Sequence, residues 1–246
     1  MKKLFALVLA VLMVAALTAC GPKTPQNGND ATDGPGNTTS GSSHGEQTDP
    51  AQNETTESSS GNSGDITVES LMNHGENAAE DFVVVDHGDG DVELLGYEGT
   101  DEIVVIPESW NGKKITTISS YVFGAGSIVK AVKIPDSVTL VSEFSFAANE
   151  NLEVVVFGSG VKEIGKCAFQ ACANLREIVL NDGLEKIGEI AFASCASLEK
   201  LIMPESVKEV GLGAFYNKRN GFVLMGKAGS AAETYAKDNG ITFEAN

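Results

Sequence analysis

Phenylalanine recurs at one fixed spacing in the second half of the chain, and this period constrains the fold more than any other feature. Neighbouring members of the series are 23 residues apart: Phe123, Phe146, Phe169, Phe192 and Phe215. Other apolar residues keep the same period at other phases, among them Val132, Val155, Ile178, Leu201 and Leu224. Apolar residues held in phase are typical of stacked units that bury one continuous core. The period therefore predicts a solenoid of 23-residue coils.

Each repeat contains a short strand followed by a turn. In residues 175–180, Ile178 and Leu180 fall on one face of an extended segment, because side chains alternate along a strand. Asn181-Asp182-Gly183 then supplies residues that favour a turn. We expect parallel strands stacked about 4.8 Å apart, joined by short helical or irregular arcs. The predicted fold class is α/β and rich in β-strand.

Two segments of the repeats carry a family resemblance. Ile134-Pro135-Asp136-Ser137-Val138 and residues 161–175 resemble the BspA-like, treponemal-type leucine-rich repeat of bacterial surface proteins. The flanking residues 81–123 and 226–243 are similar to the segments that open and close the repeats in that family. The resemblance implies a leucine-rich-repeat solenoid that binds or adheres without a fixed residue code.

The resemblance also sets the expected domain boundaries. It covers residues 82–246, with repeats over about residues 106–225 and a C-terminal cap at residues 226–246. Residues 65–81 lead into this domain, and we expect the ordered core to begin near Phe82. The spacing from Ile106 to Ile134 exceeds the repeat period, so an insertion at residues 110–114 is expected to bulge out as a loop.

Both ends of the stack are expected to be capped, because an open stack would expose apolar coils and strand edges. Residues 82–85 and 92–95 predict an N-terminal β-hairpin. Ser230 and Glu233 have capping-box spacing, which predicts a short helix over residues 231–237. We therefore expect no further coils beyond these caps.

The first residues resemble an export signal. Residues 2 and 3 are lysines. Residues 4–19 form an uncharged, mostly apolar run that is too short for a typical bilayer span. Leu17-Thr18-Ala19-Cys20 resembles the lipobox of bacterial lipoproteins, which implies a signal peptide at residues 1–19 and lipidation of Cys20. The alternative is a plain signal peptide with an incidental cysteine.

Residues 21–64 lack every large apolar side chain and consist mainly of Gly, Ser, Thr, Asn, Pro, Gln and Ala with scattered charges. Such a segment cannot bury enough apolar surface to fold. Residues 20–64 are therefore predicted to be a lipidated cysteine followed by a disordered tether.

Charge and histidine content exclude several function classes. The formal net charge of −17 is unsuited to nucleic acid, which needs a basic surface. The histidines are His44, His74 and His87, so the repeats themselves contain none. We therefore expect no Ser-His or Cys-His catalytic site, no metal and no cofactor, and we predict that the protein is not an enzyme.

Three weaker motifs have structural explanations. Ser127-Ile128-Val129-Lys130 and Ser197-Leu198-Glu199-Lys200 match Ser-x-x-Lys, but each serine precedes a predicted strand instead of opening a helix. Residues 86–91 lack the ligand spacing of a calcium loop, and a tight hairpin turn is the favoured interpretation.

Cysteines share one phase of the repeat. Cys172 and Cys195 lie in adjacent coils at equivalent positions, close enough for a disulfide in an oxidising compartment. The favoured alternative is a pair of buried thiols that fill small core sites. Charged residues at another position of the repeat alternate in sign from one coil to the next, and we interpret them as markers of the register between coils: Lys130, Glu153, Arg176 and Glu199.

The outward positions of the strands give the candidate binding site. An exposed strand face should carry polar residues, yet these positions are apolar: Val154, Val156, Val179, Ile202, Val223 and Met225. An exposed apolar strip often marks an interaction site. The alternatives are that these residues serve strand propensity alone or are covered by the protein's own loops.

Together these features predict an extracytoplasmic, lipid-anchored bacterial surface lipoprotein. Its solenoid is expected to bind an unknown surface protein or a glycan as an adhesion module, with a membrane contact only through the lipid at Cys20. The alternative is a structural or scaffolding component of the producing cell's own envelope.

Overall fold

The solenoid is built from strands of two to six residues that stack along a common axis. The computed structural model describes residues 66–88 and 90–246. The predicted signal peptide 1–19, the lipidation site Cys20 and the tether 20–64 lie outside the described residues. Within the part that is described, no helix is long and apolar enough to span a bilayer.

One side of the solenoid, the back sheet, has eight strands. In spatial order they are β1 (Phe82–Asp86), β2 (Val92–Tyr97), β5 (Lys113–Ile118), β7 (Leu140–Val141), β9 (Glu163–Ile164), β11 (Lys186–Ile187) and β13 (Glu209–Val210), with β4 (Ser109–Trp110) paired to β5. From β2 onward the main path is parallel, as the repeat predicts.

The other side is the front sheet, which has a four-stranded part and a three-stranded part at the same phase of the repeat. The first part contains β3 (Ile103–Val105), β6 (Ala131–Lys133), β8 (Val154–Val156) and β10 (Glu177–Val179). The second contains β12 (Lys200–Ile202), β14 (Val223–Gly226) and β15 (Thr242–Ala245). All of these pairings are parallel. In the part of the chain that the structure describes, two α-helices flank the strands, α1 (Val68–Met72) and α2 (Ala231–Asp238).

The phenylalanine series forms a continuous stack inside the solenoid. The rings of Phe146 and Phe169 are 4.6 Å apart with an angle of 12° between their planes, and those of Phe169 and Phe192 are 5.2 Å apart at 11°. All five rings are at most 2% exposed. Aromatic contacts of this kind add to the free energy gained from burial. The predicted periodic set of core residues is confirmed.

The arcs between the sheets are successive turns instead of helices. Two positions of each arc, four residues apart, have a left-handed backbone: φ is 60° at Phe144 and 57° at Ala148, 55° at Cys167 and 60° at Ala171, and 57° at Ile190 and 61° at Ser194. This conformation is strained for a β-branched residue. It is repeated because it directs the N–H of each of these residues to the next coil, as Ile190 donates to the carbonyl of Leu212 at 3.1 Å.

A column of glycines lets adjacent coils approach closely at the edge of the back sheet. A Cβ atom at Gly165 would lie 2.6 Å from the backbone N of Glu143, and one at Gly211 would lie 2.3 Å from the backbone N of Glu189. Gly188 is in the same situation. A larger residue would therefore push the coils apart.

The ends differ in detail from the sequence-based expectations. The N-terminal hairpin is present, but the predicted insertion loop at residues 110–114 is itself a hairpin, in which β4 pairs antiparallel with the start of β5. Its turn residues Asn111 and Gly112 have φ of 51° and 79°, as a two-residue hairpin turn requires.

At the C-terminal end the helix is present but the predicted capping box is absent. The Ser230 hydroxyl makes no capping hydrogen bond. The Glu233 carboxylate instead accepts a hydrogen bond from the backbone N–H of Gly229 at 2.6 Å. Residues Ala232 and Ala236 of α2 are buried against the end of the core.

Candidate interaction surface on the front sheet

The structure brings the predicted site residues together on the outward face of the front sheet. Val156 lies opposite Val179 in the ladder, and Ile202 lies opposite Met225. We call this series the outer column: Val156, Val179, Ile202 and Met225. Val154 and Val223 belong to the parallel column beside it, where Val223 lies opposite Lys200.

The outer column is not uniformly exposed. Val154 is 0% exposed and Val156 is 7% exposed, whereas Val179 is 39% and Ile202 is 52% exposed. Val223 and Met225 are half-buried. The expectation that Val154 and Val156 face solvent is therefore wrong. We call Val179, Ile202, Val223 and Met225 the open half of the surface.

A segment before the first strand covers the rest of the surface. Leu71, in α1, is 0% exposed and packs in a small apolar cluster, separate from the main core, with Val105, Ala131, Val154 and Val156. Burying a leucine side chain contributes about 1.5–3 kcal/mol. The ordered core therefore begins before Phe82, and that sequence-based expectation is wrong.

α1 is short but well capped. The hydroxyl of Thr67 accepts a hydrogen bond from the backbone N–H of Ser70 at 3.1 Å, and the hydroxyl of Ser70 accepts one from the backbone N–H of Thr67 at 2.9 Å. This reciprocal pair satisfies N–H groups that a helix start otherwise leaves free. Thr67 and Ser70 are exposed, so the apolar face alone contacts the sheet.

The covering segment is attached to the sheet at both of its ends. The backbone N–H of Asn77 donates to the carbonyl of Val105 at 3.1 Å, and the side-chain oxygen of Asn77 accepts from the N–H of Val105 at 2.7 Å. At the other end, the guanidinium of Arg176 donates to the carbonyl of Ile66 and to the carboxylate of Glu153. We call the part of the surface under α1, which contains Val154 and Val156, the covered half. Arg176 therefore marks the boundary between the covered half and the open half.

Charged residues border the open half. Arg176, Glu177, Glu199, Lys200 and Arg219 line a shallow depression of about 510 Å³ beside it. Arg219 pairs with Glu199 at 2.6 Å. An apolar centre with a charged, solvated rim is the usual anatomy of a protein–protein interface.

Another depression lies along the back sheet. It has a volume of about 790 Å³, and its glycine floor is explained by the close approach of the coils. Its walls are ion-pair ladders, in which Lys166 lies 2.9 Å from Glu189 and Lys186 lies 3.0 Å from Glu163. Exposed pairs of this kind contribute little each, so we interpret them as register markers.

Cys172 and Cys195 are free thiols that act as hydrogen-bond donors in the core. The thiol of Cys172 donates to the carbonyl of Phe146 at 3.1 Å, and that of Cys195 donates to the carbonyl of Phe169 at 3.2 Å. Burial raises the pKa of Cys195 to about 12 and raises the pKa of Cys172 well above its ordinary value. Both thiols are therefore protonated and unsuited to nucleophilic chemistry at neutral pH.

The residues considered for metal binding or catalysis have local structural contacts. Asp86 bonds to the ammonium of Lys113 at 2.5 Å and to the backbone N–H of Gly88 at 2.8 Å, and mainly the Lys113 bond lowers the pKa of Asp86. His87 lies 3.2 Å from Glu93. Asp89 lies outside the described residues. Among those described, no group of three or more His, Cys, Asp or Glu side chains could hold a metal ion.

Comparison with known proteins supports the repeat assignment. Residues 104–221 match the BspA type leucine rich repeat region in six copies. No curated protein matches the chain.

Solved structures of leucine-rich repeat proteins are similar to this one. The leucine rich repeat protein TpLRR of T. pallidum is 28% identical with a TM-score of 0.57, and the match covers 61% of this chain and 71% of that one. A leucine-rich repeat protein from Bacteroides ovatus is 29% identical with a TM-score of 0.49, over 55% of this chain and 37% of that one.

Proposed function

Because the chain is a leucine-rich repeat protein of the BspA type, we propose that it is a protein-binding module whose site is the open half of the front sheet. The observation that carries this proposal is the exposure of Val179 and Ile202 on a regular strand face. Exposed apolar side chains that adjoin one another mark interaction surfaces on soluble domains.

The chemistry of the open half favours a protein over a glycan. Its centre consists of aliphatic side chains and Met225, which gain free energy by burial against other apolar groups. The exposed tyrosines Tyr121 and Tyr216, which could stack on sugar rings, do not belong to it. Its charged rim, with Arg176 and Lys200, would orient a partner.

We also propose that the module acts outside the cytoplasm, anchored to the membrane through a lipid on Cys20 and held away from it by residues 20–64. The support is the lipobox-like sequence before Cys20 and the absence of large apolar residues in the tether. Cys20→Ser should release the protein into the medium or leave an uncleaved precursor. Unchanged partitioning into a detergent phase would contradict the anchor.

The binding proposal is tested by the double variant Val179→Thr with Ile202→Thr, which keeps β-branched side chains in the strands. Ile128→Thr is the matched control, because Ile128 is 47% exposed but lies outside the front sheet. Each chain is immobilised and exposed to cell-wall fractions of the producing cell and to host matrix proteins. The double variant should lose the proteins that the unaltered chain and the control retain. Equal retention by all three would exclude the open half as the site.

The same experiment separates adhesion from a structural role in the envelope. Partners found among host matrix proteins would support adhesion. Partners found only in the cell-wall fractions would support a scaffold within the producing cell's own envelope.

A further inference from the structure

We propose that residues 66–72 are a built-in occupant of the binding surface, and that the partner presents a short amphipathic helix which takes the same place on the front sheet. This inference rests on the proposed function, since it names the kind of partner that the open half binds. The partner's helix would extend from the open half into the covered half and displace α1.

The first observation is that the two halves are one surface. Val156 under α1 and exposed Val179 are ladder neighbours in the same column. Lys133 lies between Val105 and Val156 in this column. Without α1, the apolar part of the outer column would therefore begin at Val156 and continue through Val179 to Ile202. The covered half therefore shows what kind of ligand the whole surface accepts.

The second observation is the chemistry of the present occupant. Leu71 is the anchor, Ile66 and Val68 pack beside it, and Glu69 and Ser70 remain exposed. The segment is thus an amphipathic helix laid on an apolar sheet, a common mode of peptide recognition.

The third observation is that α1 can leave without opening the solenoid. Its apolar cluster is separate from the main core, and a helix of five residues has little stability of its own. Arg176 holds the Ile66 end, and Asn77 would keep the segment attached at the other end. Only molecules in which α1 is undocked can then bind the partner, so the apparent affinity is the intrinsic affinity multiplied by the undocked fraction.

The test uses the segment itself as the probe, a synthetic peptide with the sequence of residues 64–76. Its binding is measured by fluorescence anisotropy to the full chain, to the full chain with Leu71→Asp, and to the full chain with Met72→Asp as the matched control. Met72 is 49% exposed in the same helix, so its substitution should leave α1 docked. The Leu71→Asp chain should bind the peptide at least about tenfold more tightly than the other two.

The position of the peptide is checked by further variants. Adding Val156→Asp to the Leu71→Asp chain should abolish binding, and a peptide carrying Leu71→Asp should bind no chain. Equal affinity for all three full chains would overturn the proposal, as would binding that survives Val156→Asp.

A second variant guards against misfolding of the first. Arg176→Ala removes the bond to the Ile66 carbonyl without placing a charge in the cluster, and it should also raise peptide affinity. If Leu71→Asp does not fold, an Arg176→Ala chain with unchanged affinity would overturn the proposal. Failure of the peptide test leaves the protein-binding proposal standing if the threonine variant loses its partners. Retained partners in that variant would instead exclude the open half as the binding site.

Discussion

Strands β8 and β10 occupy the same phase of adjacent repeats and pair directly, but they differ in exposure. Both carry valine in the outer column, Val156 in β8 and Val179 in β10. Val156 is 7% exposed because α1 lies over it, and Val179 is 39% exposed because α1 ends before reaching it. The repeat places the two valines identically, and a segment outside the repeat decides which one faces solvent.

The position of a residue within the repeat therefore predicts burial on the inner face of the strands but not on the outer face. Inner residues are buried by neighbouring coils that obey the same period. Outer residues are buried only if another part of the chain, or another molecule, packs on them.

The strongest test of the comparison is to place the same charge at both positions. Val156→Asp should lower the free energy of unfolding by about 3 kcal/mol, because it buries an unpaired carboxylate or expels α1. Val179→Asp should change it by no more than about 0.5 kcal/mol. Urea unfolding measures both, and equal midpoints would show that α1 does not protect β8.

A smaller effect is expected within α1. Leu71→Ala should cost about 2 kcal/mol of docking free energy, because the buried side chain loses most of its apolar contacts. Met72→Ala, at an exposed position, should cost no more than about 0.5 kcal/mol. Hydrogen exchange of the Leu71 amide, which bonds to the carbonyl of Thr67, reports the docked state. Equal protection in the two variants would argue against Leu71 as the anchor.

The boundary between the halves should respond more weakly. Arg176→Ala removes hydrogen bonds to Ile66 and Glu153, and we expect a loss of about 1 kcal/mol in α1 docking. Exchange at the Leu71 amide should accelerate while the amides of β10 keep their protection. Accelerated exchange in β10 would show that Arg176 supports the solenoid instead of the cover.

The smallest effect is expected from removing the tether, residues 20–64. Residues 21–64 contain no large apolar side chain, so a chain that begins at Asp65 should melt at the same temperature as the mature chain that begins at Cys20. A shorter chain that begins at Ala78 also lacks α1, so it should expose the covered half and bind an apolar dye. A melting difference of more than a few degrees for the first chain would show that the tether docks.

Much of the fold could be predicted because its determinants are local and periodic. The spacing of Phe146, Phe169 and Phe192 gave the coil length, the stacked core and the parallel strands. Opposite charges in phase correctly indicated neighbouring coils, as in the pair of Arg176 and Glu153 at 3.1 Å.

Other features could not be predicted from spacing because they depend on which hydrogen-bond partner one side chain finds in the folded protein. The residues Ser230 and Glu233 had the spacing of a capping box, yet the Glu233 carboxylate meets the N–H of Gly229 instead. For Cys172 and Cys195 the phase was compatible with a disulfide, but the favoured interpretation of buried free thiols is confirmed; the spacing did not show that each thiol donates to a carbonyl of the preceding coil.

By itself the sequence determined the period, the identity of the core and the apolar character of the front sheet. Only the tertiary structure decided which part of that sheet is open. Ile66 and Arg176 are separated by 110 residues, and nothing periodic connects them. Contacts between coils produce a periodic sequence, because each coil packs on its neighbour in the same way. The docking of α1 happens once, depends on a short and weakly apolar segment, and leaves no repeating pattern to detect.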